Sequence, residues 1–525
     1  MEEKEGKDVS RRKRKHRRRW LGWLIAAAIM IGLLATLTFG FALAGPVLRP
    51  RIVRALERHF NSDVELHAFH VSLFPTFATG DGLALRLRRP GNPMMIAVRH
   101  FTIEGGMLGL GFLRDPIHVR RVVLEGLEIH VPLHQPASDA TAQAPPGKPS
   151  IDFIVDEIDA GGTRLEILPV EPGKHSLVFQ IKNLRLQSAG SHTAMTFQTV
   201  LINAKPPGEI VSHGTFGPWQ KDDPGKTPVQ GAYTFRNANL AVFHGISGHL
   251  SSDGRYNGKL ERINVEGTTD TPDFMVDTGD HPLDLKTQFK AVVDGTNGDT
   301  TLDPVNARFL HSSVVARGGI IDQPGPLGKR VTLDVTVDHG RVEDILNLAV
   351  KSKSPVLRGD IAFHAKFDLP PGDAPIPDKL RLDGDFGIRA SRFTNKEVER
   401  KISSLSTHAS GKPDAPLDLG TASHFSGHFR LRDAVVSFSK LTFDVPGAAV
   451  LLKGSYGLRT EILDFRGELR MQATLSQSTT GVKSFFLRAL DPFFKKKNTG
   501  TVLPIRITGT RSSPSIGLNL WHGKD

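Results

Sequence analysis

Beyond residue 60 the chain repeats one pattern: short runs in which apolar and polar side chains alternate, many of them opening on glycine. "GHFRL", "GSYGL", "GELRM" and "GDIAFHAKFDL" are examples. Alternation has the period of a β-strand, because successive side chains of an extended chain point to opposite faces. The 52 Gly and 34 Pro among 525 residues supply the turns that many short strands need. The repetition is irregular and has no fixed period. It predicts a mainly β chain built as a long antiparallel sheet of hairpins, with room in its length for two to four compact domains or one elongated architecture.

Within the strands the parity of the apolar positions changes at definite points. In residues 61–89, Val64 and Leu66 share one face, whereas Phe69, Val71 and Leu73 take the opposite parity. This predicts a bulge or twist near Ala68, and Pro75 then ends the strand. The "TGDG" of residues 79–82 predicts a turn, after which Leu83, Leu85 and Leu87 alternate with polar neighbours. A further strand is expected over residues 96–103, then a short apolar helix in "GGMLGLGFLRDP". The strand "IHVRRVVLEGLEIHVPL" changes parity at Gly126.

Helical spacing is confined to a few places. Ile52, Val53, Leu56 and Phe60 form one face of a short amphipathic helix that lies on a membrane or caps a sheet end. Val342, Ile345, Leu346 and Ala349 predict a helix over residues 341–349. A capping box from Thr394 to Glu397 opens another that aligns Val398, Ile402 and Leu405. Near the end, "GVKSFFLRALDPFFKKK" joins an apolar turn to Phe485, Phe486, Phe493, Phe494, Lys495, Lys496 and Lys497. That combination suits either contact with a membrane or anionic lipid, or a core helix followed by a solvated turn.

Residues 20–44 carry no charge and are long enough to span a bilayer as a helix, with Trp20 and Trp23 at an interface. The run exceeds the apolar core of a signal peptide, so an uncleaved anchor is expected even though "ALA" precedes Gly45. Residues 1–19 hold ten Lys/Arg against four Asp/Glu, half of the net charge of +12. Beside an apolar run, such a block sets topology and keeps the N-terminus in the cytoplasm, and anionic lipid binding is a compatible role. The body is only mildly basic, so no nucleic-acid partner is expected.

The chain has no cysteine, which excludes disulfides, thiolate metal sites and a cysteine nucleophile. His67 and His70, and His424 and His428, sit at spacings that do not converge in a strand as they would on a helix, so no metal is expected. "DGTNGDTTLD", from Asp294, resembles a calcium loop but places Gly298 where a ligand is wanted; its "NG" predicts a turn. Neither a "GxSxG" nor a phosphate-binding glycine loop occurs, so no enzyme, catalytic residue or cofactor is expected.

The order of these features is similar to that of AsmA-like proteins of Gram-negative bacteria. A basic N-terminus, one apolar helix and a short amphipathic helix precede "VELHAFHVSLFPTFATGDGLALRL" and "FTIEGGMLGLGFLRDPIHVRRVVLEGLEIHVP". Later, "GKLERINVEGTTDTPDF", "FKAVVDGTNGDTTL", "LRGDIAFHAKFDLPPG" and "LPIRITGTRSSPSIGL" resemble the strand signatures of the family's C-terminal regions. The resemblance implies a cytoplasmic segment at 1–19, an inner-membrane helix at 20–44 and an N-terminal β unit at 45–134. A linker or exposed loop at 135–149 and a C-terminal β-groove region at 150–525 follow.

It further implies a periplasmic, curled open groove with a few short capping helices, which binds or conducts phospholipid for outer-membrane homeostasis. Family members that span the periplasm unaided are generally longer, which points to envelope protein partners or to work near the inner membrane. On this reading Phe69, Val71, Leu73 and Phe74 form the membrane-proximal entrance. Alternation by itself is shared by a closed sandwich, and a non-conducting scaffold that regulates outer-membrane protein assembly is the alternative function.

Overall fold

The computed structural model describes residues 49–50, 53–54, 57, 62–73, 76–87, 95–105, 117–132, 153–168, 176–190, 193–218, 220, 224–323, 328–351, 354–416, 423–473, 501–511 and 513–518. The expected anchor with Trp20 and Trp23, the loop at 135–149, Phe74, and the aromatic and lysine cluster of 485–497 lie outside them. Among the described residues no helix is long and apolar enough to cross a membrane. The described chain is mainly β, with few helices. It divides into two compact units, the first comprising Met1–Val170, His175–Ile202 and His213–Trp219, the second Glu171–Lys174, Asn203–Ser212 and Gln220–Asp525.

In the first unit, β1 (Ser62–Leu73), β2 (Thr76–Leu87), β3 (Met95–Gly105) and β4 (Ile117–Pro132) pair in succession, all antiparallel. The next step departs from the expected hairpin pattern, since β5 (Phe153–Leu168) runs parallel to β4. The ladder then continues antiparallel through β6 (Leu177–Gly190) and β7 (Met195–Ile202).

The parity change read near Ala68 is real, but it does not arise from an extra residue in one strand. The register of β1 on β2 is constant, and only the His67 and Gly82 pair drops out of the ladder. Arg99 and Gly126 drop out in line with it, as do Gly162 and Lys182 on β5 and β6. Gly82, Gly126 and Gly162 have φ of 64°, 63° and 65°, a left-handed conformation that costs glycine little. All six strands therefore fold along one transverse crease. Leu66 on one side of it and Phe69 on the other pack in the same apolar cluster, with Val98, Phe101 and Leu127. The "TGDG" is accordingly not a turn: it lies inside β2, and Gly82 supplies the crease.

Backbone ahead of β1 is helical at Arg49, Pro50, Val53, Arg54 and Glu57. Val53 packs against the Leu66 cluster, and Arg49 Nε donates to the Leu66 carbonyl at 2.6 Å. At Val53 the segment rests on the sheet; Ile52, Leu56 and Phe60, expected on the same face, lie outside the described residues.

The boundary of the two units passes through β8 (Glu209–Phe216). The second unit contains β9 (Pro228–Asn239), β10 (Ile246–Ser247), β11 (His249–Lys259), β12 (Arg262–Val276), β13 (Leu283–Val293) and β14 (Thr300–Phe309). It continues with β15 (Ser312–Asp322), β16 (Lys329–Arg341), β17 (Leu357–Leu369), β18 (Arg381–Phe393) and β19 (Ser423–Arg432). The last are β20 (Val435–Val445), β21 (Ala448–Gly457), β22 (Ile462–Met471), β23 (Thr501–Thr510) and β24 (Ser513–Leu518).

From β11 onward each strand pairs antiparallel with the next, and β9 lies on the other side of β11. The sheet is open: among the described residues β24 pairs only with β23, and in the first unit β1 pairs only with β2. Some of the hairpins are tight. Between β19 and β20 only Asp433 and Ala434 intervene, both at positive φ, as a type I′ turn demands.

Among the described residues three α-helices interrupt this unit: α1 (Val342–Ala349), α2 (Ile376–Lys379) and α3 (Lys396–Ala409). Val342, Ile345 and Leu346 of α1 pack on Leu357, Ile361 and Ile388, and Asp344 is buried where it accepts the His311 N–H and the Ser312 hydroxyl. Ile402 and Ala409 of α3 pack with Val445, Ala448 and Met471. The capping box expected from Thr394 is displaced by one residue. Asn395 is the cap, and its side chain accepts the N–H groups of Glu397 at 2.8 Å and Val398 at 3.4 Å. Thr394 instead donates its hydroxyl to the Pro355 carbonyl.

Candidate functional site

Register decides which side chains share a line across the strands, and in the second unit one line runs unbroken from β9 to β23. It starts with Tyr233, Gly254, Gly267 and Phe289. Val305, Ala316, Val335 and Ala365 follow. Gly384, Phe429, Phe438, Gly454, Phe465 and Ile507 complete it. None of these is charged. At about 4.8 Å per strand the line is on the order of 60 Å long, measured along the sheet.

A second line two residues away has the same character. Tyr256, Val265, Ala291, Leu302 and Gly318 lead to Leu333, Phe367 and Leu382, then to Leu431, Val436, Tyr456 and Leu463. The line between them faces the other way and is polar: Arg255, Glu266 and Lys290 on β11 to β13, and Arg317, Asp334, Lys366, Asp383 and Arg430 on β15 to β19.

Burial separates an open face from a closed core. In a sandwich, an inner face packs against a second layer and its side chains vanish from solvent. Here Phe289, Val305, Val335, Leu333, Phe429 and Phe438 are only half-buried, while their polar neighbours are mostly exposed. The helices pack at a margin of this face. α1 and α3 contact apolar residues around Ile361, Ile388, Phe443 and Leu469, and among the described residues they leave the two central lines uncovered.

The first unit repeats the arrangement. Phe69, Gly80, Phe101, Leu124, Ala160 and Leu184 align across β1 to β6. Val71, Ala78, Ile103, Val122, Ile158 and Leu186 form the line beside it. Phe69 and Val71, expected at an entrance, thus begin two apolar lines at the edge strand β1. Phe69 is half-buried, with its ring centroid 6.5 Å from that of Phe101. Leu73 ends β1 opposite Thr76, and Phe74 lies outside the described residues.

Sequence reasoning did not find a group of hydroxyls set into the apolar face of the second unit. Tyr233 and Tyr256, two of the chain's three tyrosines, have ring centroids 6.4 Å apart. The Tyr233 hydroxyl lies 3.1 Å from Ser252 Oγ, and that of Tyr256 lies 2.8 Å from Ser212 Oγ. Thr269 and Thr287 bring their hydroxyls within 2.7 Å of each other on neighbouring strands. Burial pushes both phenols above their ordinary pKa, so they stay protonated at neutral pH. Each tyrosine is paired across the ladder with a glycine, Tyr233 with Gly254 and Tyr256 with Gly231. That is the one trace this group leaves in the sequence, and it becomes legible only with the register.

The charged residues lie elsewhere. Arg121 and Arg185 converge on Asp159, and Arg330 grips Asp368 with two hydrogen bonds of 2.7 and 2.8 Å. His428 meets Asp383 and Asp385 through opposite ring nitrogens, an arrangement that does not focus on a point. Among the described residues no group of three or more His, Asp or Glu could hold a metal ion. The segment from Asp294 is a turn, as expected: Asp294 accepts the Thr296 N–H, Asn297 accepts the Asp299 N–H, and Asp299 receives Lys329 at 2.8 Å.

No family model matches the chain, and neither a curated protein nor a solved structure matches it.

Proposed function

We propose that this chain is a lipid-handling protein, anchored in the bacterial inner membrane by residues 20–44, whose periplasmic body binds or conducts phospholipid along an apolar β-groove for envelope homeostasis. The observation that carries the reading is the pair of uncharged lines across β9 to β23, mostly half-buried and, among the described residues, uncovered by another layer. Acyl chains gain about 0.8 kcal/mol for each CH₂ removed from water, so such a surface holds lipid without a dedicated residue. Its near-uniform lining makes neighbouring positions similar in free energy, which is what movement along it requires. Polar and charged side chains on the reverse face keep that side in water.

In this reading the basic residues of 11–19 hold the N-terminus in the cytoplasm, and Trp20 and Trp23 sit at the membrane interface. Lipid enters past Phe69, Val71, Leu73 and Phe74, while Phe485, Phe486, Phe493, Phe494 and Lys495 to Lys497 make a second contact with membrane or anionic lipid. The test is purification of the full chain followed by mass spectrometry of bound lipid and a vesicle-to-vesicle transfer assay. Bound phospholipid and transfer are expected. Their joint absence overturns the proposal and leaves the scaffold reading.

A further inference from the structure

The tyrosine pair sets two hydroxyls into the apolar face of the second unit, and its hydrogen bonds determine what it can offer a ligand. A hydroxyl has one proton to donate and two lone pairs to accept with. Ser252 Oγ lies 2.9 Å from the Thr268 carbonyl, and Ser212 Oγ lies 2.9 Å from the Ala232 carbonyl. A carbonyl only accepts, so in both contacts the serine donates its single proton. Both serine contacts are then satisfied together only if Tyr233 donates to Ser252 and Tyr256 donates to Ser212. Ser212 and Ser252 are buried, at 7% and 4% exposure, which holds this arrangement away from water.

With their protons committed, the two phenol oxygens keep lone pairs, and their half-buried rings lie on the apolar face. The pair therefore presents acceptors. The phosphate and ester oxygens of a phospholipid are acceptors too, and the two phenols offer them no donor. Nor does any Lys or Arg stand in the apolar lines beside the pair to balance a phosphate charge. An uncharged hydroxyl attached to acyl chains fits on both counts: it donates one hydrogen bond and costs far less to remove from water than an ion.

We propose that the phenol oxygens of Tyr233 and Tyr256 each offer an acceptor to the free hydroxyl of a diacylglycerol-class lipid lying on the apolar face. This rests on the reading of that face as lipid-binding and adds a selectivity to it. The pair discriminates by head group, whereas the lines around it take any acyl chain.

The experiment incubates the full chain with vesicles of dioleoylphosphatidylcholine, which has no hydrogen-bond donor, containing a minor share of dioleoylglycerol. Protein is re-isolated and its lipid quantified by mass spectrometry. The wild type is expected to carry dioleoylglycerol enriched over its share in the vesicles. The double variant Tyr233→Phe/Tyr256→Phe is expected to lose that enrichment by about two- to tenfold, the effect of one hydrogen bond, while carrying as much phosphatidylcholine as before. Enrichment that survives in the double variant, or a parallel loss of phosphatidylcholine, overturns the proposal. Phosphatidylcholine taken up without enrichment of dioleoylglycerol overturns it also and leaves the lipid-handling reading standing. Uptake of neither lipid overturns both.

Discussion

Tyr233 lies flat across Gly254: a Cβ added to that glycine would sit 2.7 Å from the ring's Cε1 and 2.8 Å from its hydroxyl oxygen. The Glu266 carbonyl stands on the other side at 2.6 Å. The ring thus occupies the space over a neighbouring strand where a side chain would otherwise stand. Gly80 and Phe101 repeat the device in the first unit, with the ring 2.3 Å from the position of the missing carbon. Gly254→Ala should displace Tyr233 and destabilise the protein by about 1–3 kcal/mol, the usual cost of overpacking. Urea denaturation followed by tyrosine absorbance checks both effects.

The crease offers a comparison between two glycines of equal φ. Gly162→Ala meets no atom within 4 Å and should cost only the left-handed conformation, about 1–2 kcal/mol. Gly82→Ala pays the same conformational term and also drives a methyl group into the His67 ring, 2.2 Å from Nδ1. Its denaturation midpoint should therefore be the lower of the two, and Gly82→Ala/His67→Ala should recover the difference.

Adjacent positions on β13 test the two faces of the sheet. Phe289 is on an apolar line and Gln288 is on the polar face. Phe289→Lys should reduce bound lipid about tenfold, the equivalent of losing contact with some two CH₂ groups, whereas Gln288→Lys should leave it unchanged. Lipid mass spectrometry of the two purified variants decides.

Two carboxylates on the polar side predict how stability depends on pH. Hydrogen bonds from Arg330, with its charge, hold the Asp368 carboxyl below its usual value. Burial alone would push Asp159 up, but hydrogen bonds and charge from Arg121 and Arg185 more than offset this and hold it down. A depressed carboxyl contributes stability above its unfolded pKa of about 3.9 and loses it as pH falls through the lower folded value. The denaturation midpoint should therefore fall below about pH 4, and Asp159→Asn/Asp368→Asn should flatten that fall by up to about 1 kcal/mol per site. Urea titrations across the acid range measure it.

Strand identity was legible wherever alternation was strict, as over residues 96–103 and 117–132. The helices at Val342 and Lys396 were legible from their apolar spacing. What failed has a common physical origin, because one local composition serves more than one conformation. Gly-Asp-Gly suits a hairpin turn, yet at Gly82 it serves a left-handed kink inside a strand. Thr394 and Asn395 are both good caps, and only the competing bond from Thr394 to Pro355 shows which one is free to act. The parallel step from β4 to β5 left no trace, since the strands on either side of residues 135–149 alternate alike whichever way they pair. The apolar lines and the tyrosine pair depend on register across many hairpins, and that information is held in no single stretch of sequence.

The unbroken line from Tyr233 to Ile507 takes one residue from each strand it crosses, with the chain reversing at every step. The surface it forms is therefore quantised. Removing one strand would reverse the direction of all that follow and bring loops from one rim of the sheet to the other. Removing or adding a hairpin would preserve both rims and the polarity of every later strand, and would shorten or lengthen the surface by about 10 Å. A chain of this design can change its reach in whole hairpins and leave its cross-section alone.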